Sequence, residues 1–131
     1  PVKKVDVVVV EDDVATLTLL EQHLHDRVDG GVVFKVRRAR TVKEARACFD
    51  EAVPQALVLD LSLPGVDDGL AVLEDLRGRS GGKATQVVVF TARDVADLDG
   101  TRLTQHHASV VQKGDAGAEL VAEALRMGCA G

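Results

Sequence analysis

The sequence predicts an α/β fold: a five-stranded parallel sheet, doubly wound, with helices on both faces. Three observations carry this prediction. Valine-rich apolar runs recur along the chain, and each is too short for a helix and too continuous for a sheet with one wet face. The segments between them place apolar residues at helical spacing. The runs also end on polar residues, Glu11-Asp12, Asp60, Thr91 and Lys113, as strands do where an open α/β sheet meets its ligand.

Val5 to Val10 is β-branched throughout except at Asp6, which suits a buried strand. Leu17, Leu20, Leu24 and Val28 then share one helical face, with Asp13 placed to cap it and Gly30-Gly31 to end it. Val32 to Ala39 reads as the second strand. Thr41-Val42-Lys43-Glu44 is a capping box, in which Thr41 and Glu44 satisfy each other's amides. Its helix turns Val42, Ala45, Phe49 and Ala52 inward and stops before Pro54.

Ala56 to Leu59 is the most uniformly apolar run, and it ends in Asp60 before a Pro64-Gly65 break. Asp67-Asp68-Gly69 begins a helix carrying Leu70, Leu73 and Leu76, its acids complementing the helix dipole. Gly78 to Gly82 is a loop, and Gln86 to Phe90 a buried strand ending in Thr91. Between Asp94 and His107, Val95, Leu98 and Leu103 suggest a helix that Gly100 weakens. Ser109 to Gln112 is the fifth strand, ending in Lys113. Ala118 to Met127 is the last helix, with Leu120, Val121, Ala124 and Leu125 inward and Gly128 as its stop.

Right-handed crossovers favour the strand order 2-1-3-4-5, a flavodoxin-like (βα)5 arrangement. That order makes strands one and three neighbours, so Glu11, Asp12 and Asp60 meet at their carboxyl ends, with Thr91 and Lys113 facing the same crevice. Residues 1–131 read as one domain, with an ordered core over about 3–127. A net charge of -5 argues against a nucleic-acid surface. The basic run Lys35-Val36-Arg37-Arg38-Ala39-Arg40 reads as a charged sheet edge instead. No apolar run is long enough to cross a membrane. Cys48 and Cys129 lack metal or redox spacing, which fits a cytoplasmic protein, and Cys48 reads as a small core hydrophobe. His106-His107 reads as a solvated helix end, and His23 and His25 as surface residues.

Three carboxylates at one sheet edge repel, so a proton or a cation must join them. Oxygen-only ligands around an open crevice suit Mg²⁺. Beside it Asp60 stays ionised and can attack a phosphoryl group. The transition state spreads negative charge over the phosphoryl oxygens, which Lys113 meets with a point charge and Thr91 with a hydroxyl donor.

These residues also carry a family resemblance over nearly the whole chain. Val10-Glu11-Asp12-Asp13, Leu59-Asp60-Leu61-Ser62-Leu63-Pro64, Phe90-Thr91-Ala92 and Gln112-Lys113, in that order, resemble the receiver domains of two-component and phosphorelay response regulators. The resemblance implies that Asp60 takes a phosphoryl group from a histidine kinase or histidine phosphotransfer protein. It implies Mg²⁺, with Mn²⁺ as a substitute, held by Asp12, by Glu11 through water, by Asp60 and by the Ser62 carbonyl. Thr91 and Lys113 would hold phosphoryl oxygens. The acidic pair is read as Glu11-Asp12 rather than Asp12-Asp13, because Asp13 then falls at the helix cap. The implied product is a signalling switch rather than an enzyme with a substrate of its own. It would signal to an output domain or partner through the face of the fourth helix, fifth strand and fifth helix, as a monomer or a phosphorylation-dependent dimer, without nucleic acid or membrane.

Three departures from the family pattern stand out. Gly114 replaces the proline after the lysine, Val110 replaces an aromatic three positions before it, and the Pro64 to Gly69 loop is one residue longer. Two other classes compete. A haloacid-dehalogenase-like Mg²⁺ phosphohydrolase also uses an aspartate nucleophile, but it needs an Asp-x-Asp pattern that Glu11-Asp12-Asp13-Val14 lacks. A pseudo-receiver, an interaction module without phosphorylation, is at odds with the intact Glu11, Asp12, Asp60, Thr91 and Lys113 set.

Overall fold

A computed structural model of the chain describes residues 3–25, 31–63, 69–94, 96 and 98–129. Within them the expected strands and helices alternate. They are β1 (Lys3–Val10), α1 (Val14–His25), β2 (Val32–Ala39), α2 (Val42–Glu51) and β3 (Ala56–Leu59). After these come α3 (Leu70–Arg77), β4 (Gln86–Thr91), α4 (Gly100–Gln105), β5 (Ala108–Gln112) and α5 (Gly117–Cys129). The strands form one parallel sheet in the order β2-β1-β3-β4-β5.

The continuous apolar character of β1 follows from burial on both faces. Val5, Val7 and Val9 join Leu17, Leu20 and Leu24 of α1 and Val121, Ala122 and Leu125 of α5 in one core layer. Val8 and Val10 point the other way, into a layer with Phe49 of α2, Leu73 and Leu76 of α3 and Leu103 of α4. Neighbouring residues thus serve opposite layers, the period-two consequence of the pleat. The edge strand β2 breaks this pattern where Lys35 is exposed and Arg37 and Arg38 turn to acids. Arg37 pairs with Asp6 at 2.7 Å, and Arg38 pairs with Glu21, so the basic run is a charged edge as expected.

Several boundaries differ from expectation. The helix before β5 covers only Gly100–Gln105, because Asp99 caps it with a side chain that accepts from the Arg102 N–H at 3.1 Å. A residue engaged in that bond lies outside the helix it caps, so the turn cannot extend back towards Asp94. Leu120, expected inward, is half exposed. The buried stripe of α5 runs through Ala118, Val121, Ala122, Leu125 and Cys129, and helical spacing puts Leu120 on another face.

The helix also passes Gly128 and ends at Cys129. Ala52, expected inward, is exposed at the C-cap of α2, where the chain has already turned extended. The capping box at α2 is only half reciprocal. Thr41 Oγ1 accepts from the Glu44 N–H at 3.1 Å, but the Glu44 carboxylate accepts from the Arg40 N–H. Val28, Gly30, the Pro64-Gly65 break, the Asp67-Asp68 start of the third helix and Val95 lie outside the described residues.

Candidate functional site

Glu11, Asp60 and Lys113 each stand one residue beyond a strand and are held there by a backbone bond that prolongs the sheet. Asp60 N–H donates to Val10 O at 2.9 Å, Glu11 N–H to Ala39 O at 3.0 Å, and Lys113 N–H to Thr91 O at 2.7 Å. The strand order then does the rest. Because β1 lies between β2 and β3, Glu11 and Asp60 emerge side by side.

The acids converge as expected. Carboxylate oxygens of Glu11, Asp12 and Asp60 lie within 4.8 Å of one another. Glu11 and Asp60 are buried and Asp12 is half-buried. Lys113 Nζ reaches both buried acids, at 3.0 Å from Glu11 Oε2 and 3.4 Å from Asp60 Oδ2. The other Asp60 oxygen accepts from the Ser62 N–H at 3.0 Å, which turns the chain just after the carboxylate. Close packing shapes the far side of this loop. A Cβ at Gly69 would sit 2.4 Å from the Leu61 carbonyl oxygen, so only glycine lets the start of α3 pass so near.

Burial pushes the Glu11 carboxyl up to about 7, with the charge of Asp60 adding to the rise and Lys113 opposing it. Burial works against the Lys113 ammonium, but the hydrogen bond to Glu11 and the charge of Asp60 outweigh it and raise its pKa. Asp13 has a different job. Its Oδ2 accepts from the Thr16 N–H at 3.1 Å and hydroxyl at 2.6 Å, bonds that lower its pKa as they cap α1. This is the capping role expected when Glu11-Asp12 is taken as the acidic pair.

Thr91 is fully buried at the end of β4, and its hydroxyl oxygen accepts from the Arg93 N–H at 3.0 Å. Among the described residues no hydrogen bond joins it to Asp60. The hydroxyl proton remains available to an incoming acceptor. Val110 is half-buried against the layer of α2, α3 and α4. Sequence reasoning missed Arg40, whose guanidinium donates to the Asp12 carbonyl at 3.1 Å. It also missed Phe90, whose ring centroid lies 5.6 Å from Lys113 Nζ. Neither has a spacing signal: the Arg40 contact depends on how one loop meets another, and the Phe90 contact on how the end of β4 lies against the residue after β5.

The histidines lie elsewhere. His106 ends α4 half-buried, with Nε2 3.6 Å from Glu74, and is less solvated than expected, while His25 is exposed. Cys48 is half-buried against the core, close to its expected place.

A doubly wound sheet with acids at the tips of β1 and β3 and an ammonium from β5 defines a class of phosphoryl-accepting switch domains. The family comparison agrees: residues 7–125 match the response regulator receiver domain, and the chain belongs to that family. Similar folds occur in the chemotaxis response regulator CheY4 of Vibrio cholerae (TM-score 0.78, 19% identity, 96% of this chain and 99% of that one). A CheY-like receiver domain protein from Methanospirillum hungatei JF-1 is also similar (TM-score 0.77, 18% identity, 96% and 94% covered). So is the Mn²⁺-bound form of response regulator Rcp1 (TM-score 0.74, 20% identity, 93% and 91% covered). The chain is a phosphoacceptor receiver domain of a two-component system, a signalling switch, and neither the phosphohydrolase nor the pseudo-receiver reading is favoured.

Proposed function

We propose that Asp60 is the phosphoacceptor, that Glu11, Asp12, Asp60 and the Ser62 carbonyl hold the divalent ion, and that Thr91 and Lys113 bind the phosphoryl group. The observation carrying this reading is Lys113 Nζ lying within 3.4 Å of Asp60 while also touching Glu11. An Asp60 oxygen forms the new P–O bond as the P–N bond of a donor phosphohistidine breaks, and the imidazole leaves with the electron pair. Lys113 then exchanges a carboxylate partner for a phosphoryl oxygen, and Thr91 donates its hydroxyl proton to another. The phosphoryl group is later lost to water by cleavage of the same P–O bond.

Three acids with oxygens this close form a hard-oxygen set that fits Mg²⁺, and Mn²⁺ is the ion in the similar Rcp1 structure. When bound, the ion supplies positive charge to the phosphoryl oxygens. The chain acts as a single receiver unit in the cytoplasm, catalyses only its own phosphorylation and dephosphorylation, and signals through the α4-β5-α5 face. Among the described residues no helix is long and apolar enough to cross a membrane.

Acetyl phosphate with Mg²⁺ tests the assignment, read by intact mass. The wild-type chain should gain one base-labile phosphate and Asp60→Asn should gain none. Equal labelling of the two would remove Asp60 from its role.

A further inference from the structure

The charge facing Asp60 stands on a long, flexible stem. Lys113 is fixed at its backbone by the bond from its N–H to Thr91 O, and the next residue is Gly114, around which a built Cβ meets nothing within 4 Å. The aim of the ammonium is therefore set by what surrounds the stem. On the carboxylate side that is Glu11 and Asp60. An aromatic ring also borders it. Lys113 Nζ lies over Phe90 at 5.6 Å from the centroid, within the range where the negative face of a ring attracts a cation.

The ring itself is closely held. Phe90 is buried in the layer shared with α1 and α5. A Cβ added to Gly117 would lie 2.8 Å from its Cε1, 3.0 Å from its Cζ and 3.3 Å from the Gln112 carbonyl oxygen. Gly117 N–H in turn donates to Gly114 O at 3.0 Å, closing the turn that brings the start of α5 onto the ring. The absence of a side chain at Gly117 is what lets helix and ring meet so closely.

From the ring beneath the ammonium and the glycine that admits it, we infer that Phe90 is a positioning residue for Lys113, holding the ammonium towards Asp60 by its ring face. This deepens the phosphoacceptor reading of Asp60 and rests on it. An aliphatic side chain of similar bulk fills the same core space but offers an ammonium no such attraction.

Beryllofluoride, a stable phosphoryl mimic, is the probe, with its affinity measured in Mg²⁺ by calorimetry. The proteins compared are wild type, Phe90→Leu and wild type carrying progressively fluorinated phenylalanine at position 90, which weakens the ring's negative face at nearly constant shape. Beryllofluoride affinity should fall stepwise along the fluorinated series and about three- to thirty-fold in Phe90→Leu. Affinity for Mg²⁺ alone should change less than about twofold, because the acids are untouched. Equal beryllofluoride affinity throughout, or a parallel loss of Mg²⁺ affinity, would overturn the role of Phe90 and leave the receiver reading standing. Failure of the wild type itself to bind the mimic would overturn both. Should Phe90→Leu not fold, the fluorinated series decides alone.

Discussion

Glu11 is a carboxyl group that the fold holds in a proton-binding state. Its ordinary value of 4.5 is raised to about 7 by burial and then by Asp60, despite the opposing hydrogen bond from Lys113. Between those values the folded metal-free chain binds a proton that the unfolded chain has released. Stability therefore falls as pH rises through this window. Lys113 adds no slope there, since its own raised pKa keeps it charged throughout. Urea unfolding without divalent ions should show the folded state losing on the order of 2 kcal/mol between pH 5 and pH 8 from this group. Glu11→Gln should flatten that slope. Much of this was legible in the sequence, because strand order alone sets Glu11 beside Asp60. The contacts of Arg40 and Phe90 were not, since they depend on side-chain rotamers across distant segments that no periodicity encodes.

The helix ends show which elements hold the scaffold around the site. Arg77, in the last turn of α3, is buried and donates to the carbonyls of Gly82 at 2.6 Å, Thr85 at 2.8 Å and His106 at 2.8 and 3.0 Å. One guanidinium thus ties α3 to the 3-10 turn at Gly82–Ala84 and to the end of α4. Burial lowers its pKa, yet an arginine remains charged. Arg77→Met should cost about 2–4 kcal/mol in urea unfolding, because it leaves several buried carbonyls without donors. Arg77→Lys should recover only part of that loss, because an ammonium cannot present a planar fork. The strands were read almost to the residue, since burial on both faces leaves so strong an apolar signal. The short α4 and the exposed Leu120 were misread. A side-chain cap and the rotation of a helix against its sheet are settled by tertiary contact rather than by local pattern.

Across the whole molecule, the strands differ in how well they are shielded. The last six residues of β1 include five that are fully buried, and all of β3 is buried, whereas no residue of β5 is. Native-state hydrogen exchange should separate them. Amides of β1 and β3 should exchange only through global unfolding, and those of β5 through a local opening of lower free energy. Matching protection in all three strands would show that the edge is as firmly seated as the centre. The parallel topology itself was legible from the alternation of apolar runs and amphipathic segments, but this gradient was not. It depends on how much of each strand its neighbours cover.

Lys113, the cation that faces the phosphoacceptor, is carried on that thinly covered outer strand. Brief detachment of β5 would draw the ammonium away while the acids stayed anchored at the tips of interior strands. A protein that grips the loosened margin could thereby silence the chemistry from a distance, without competing for the carboxylates at all.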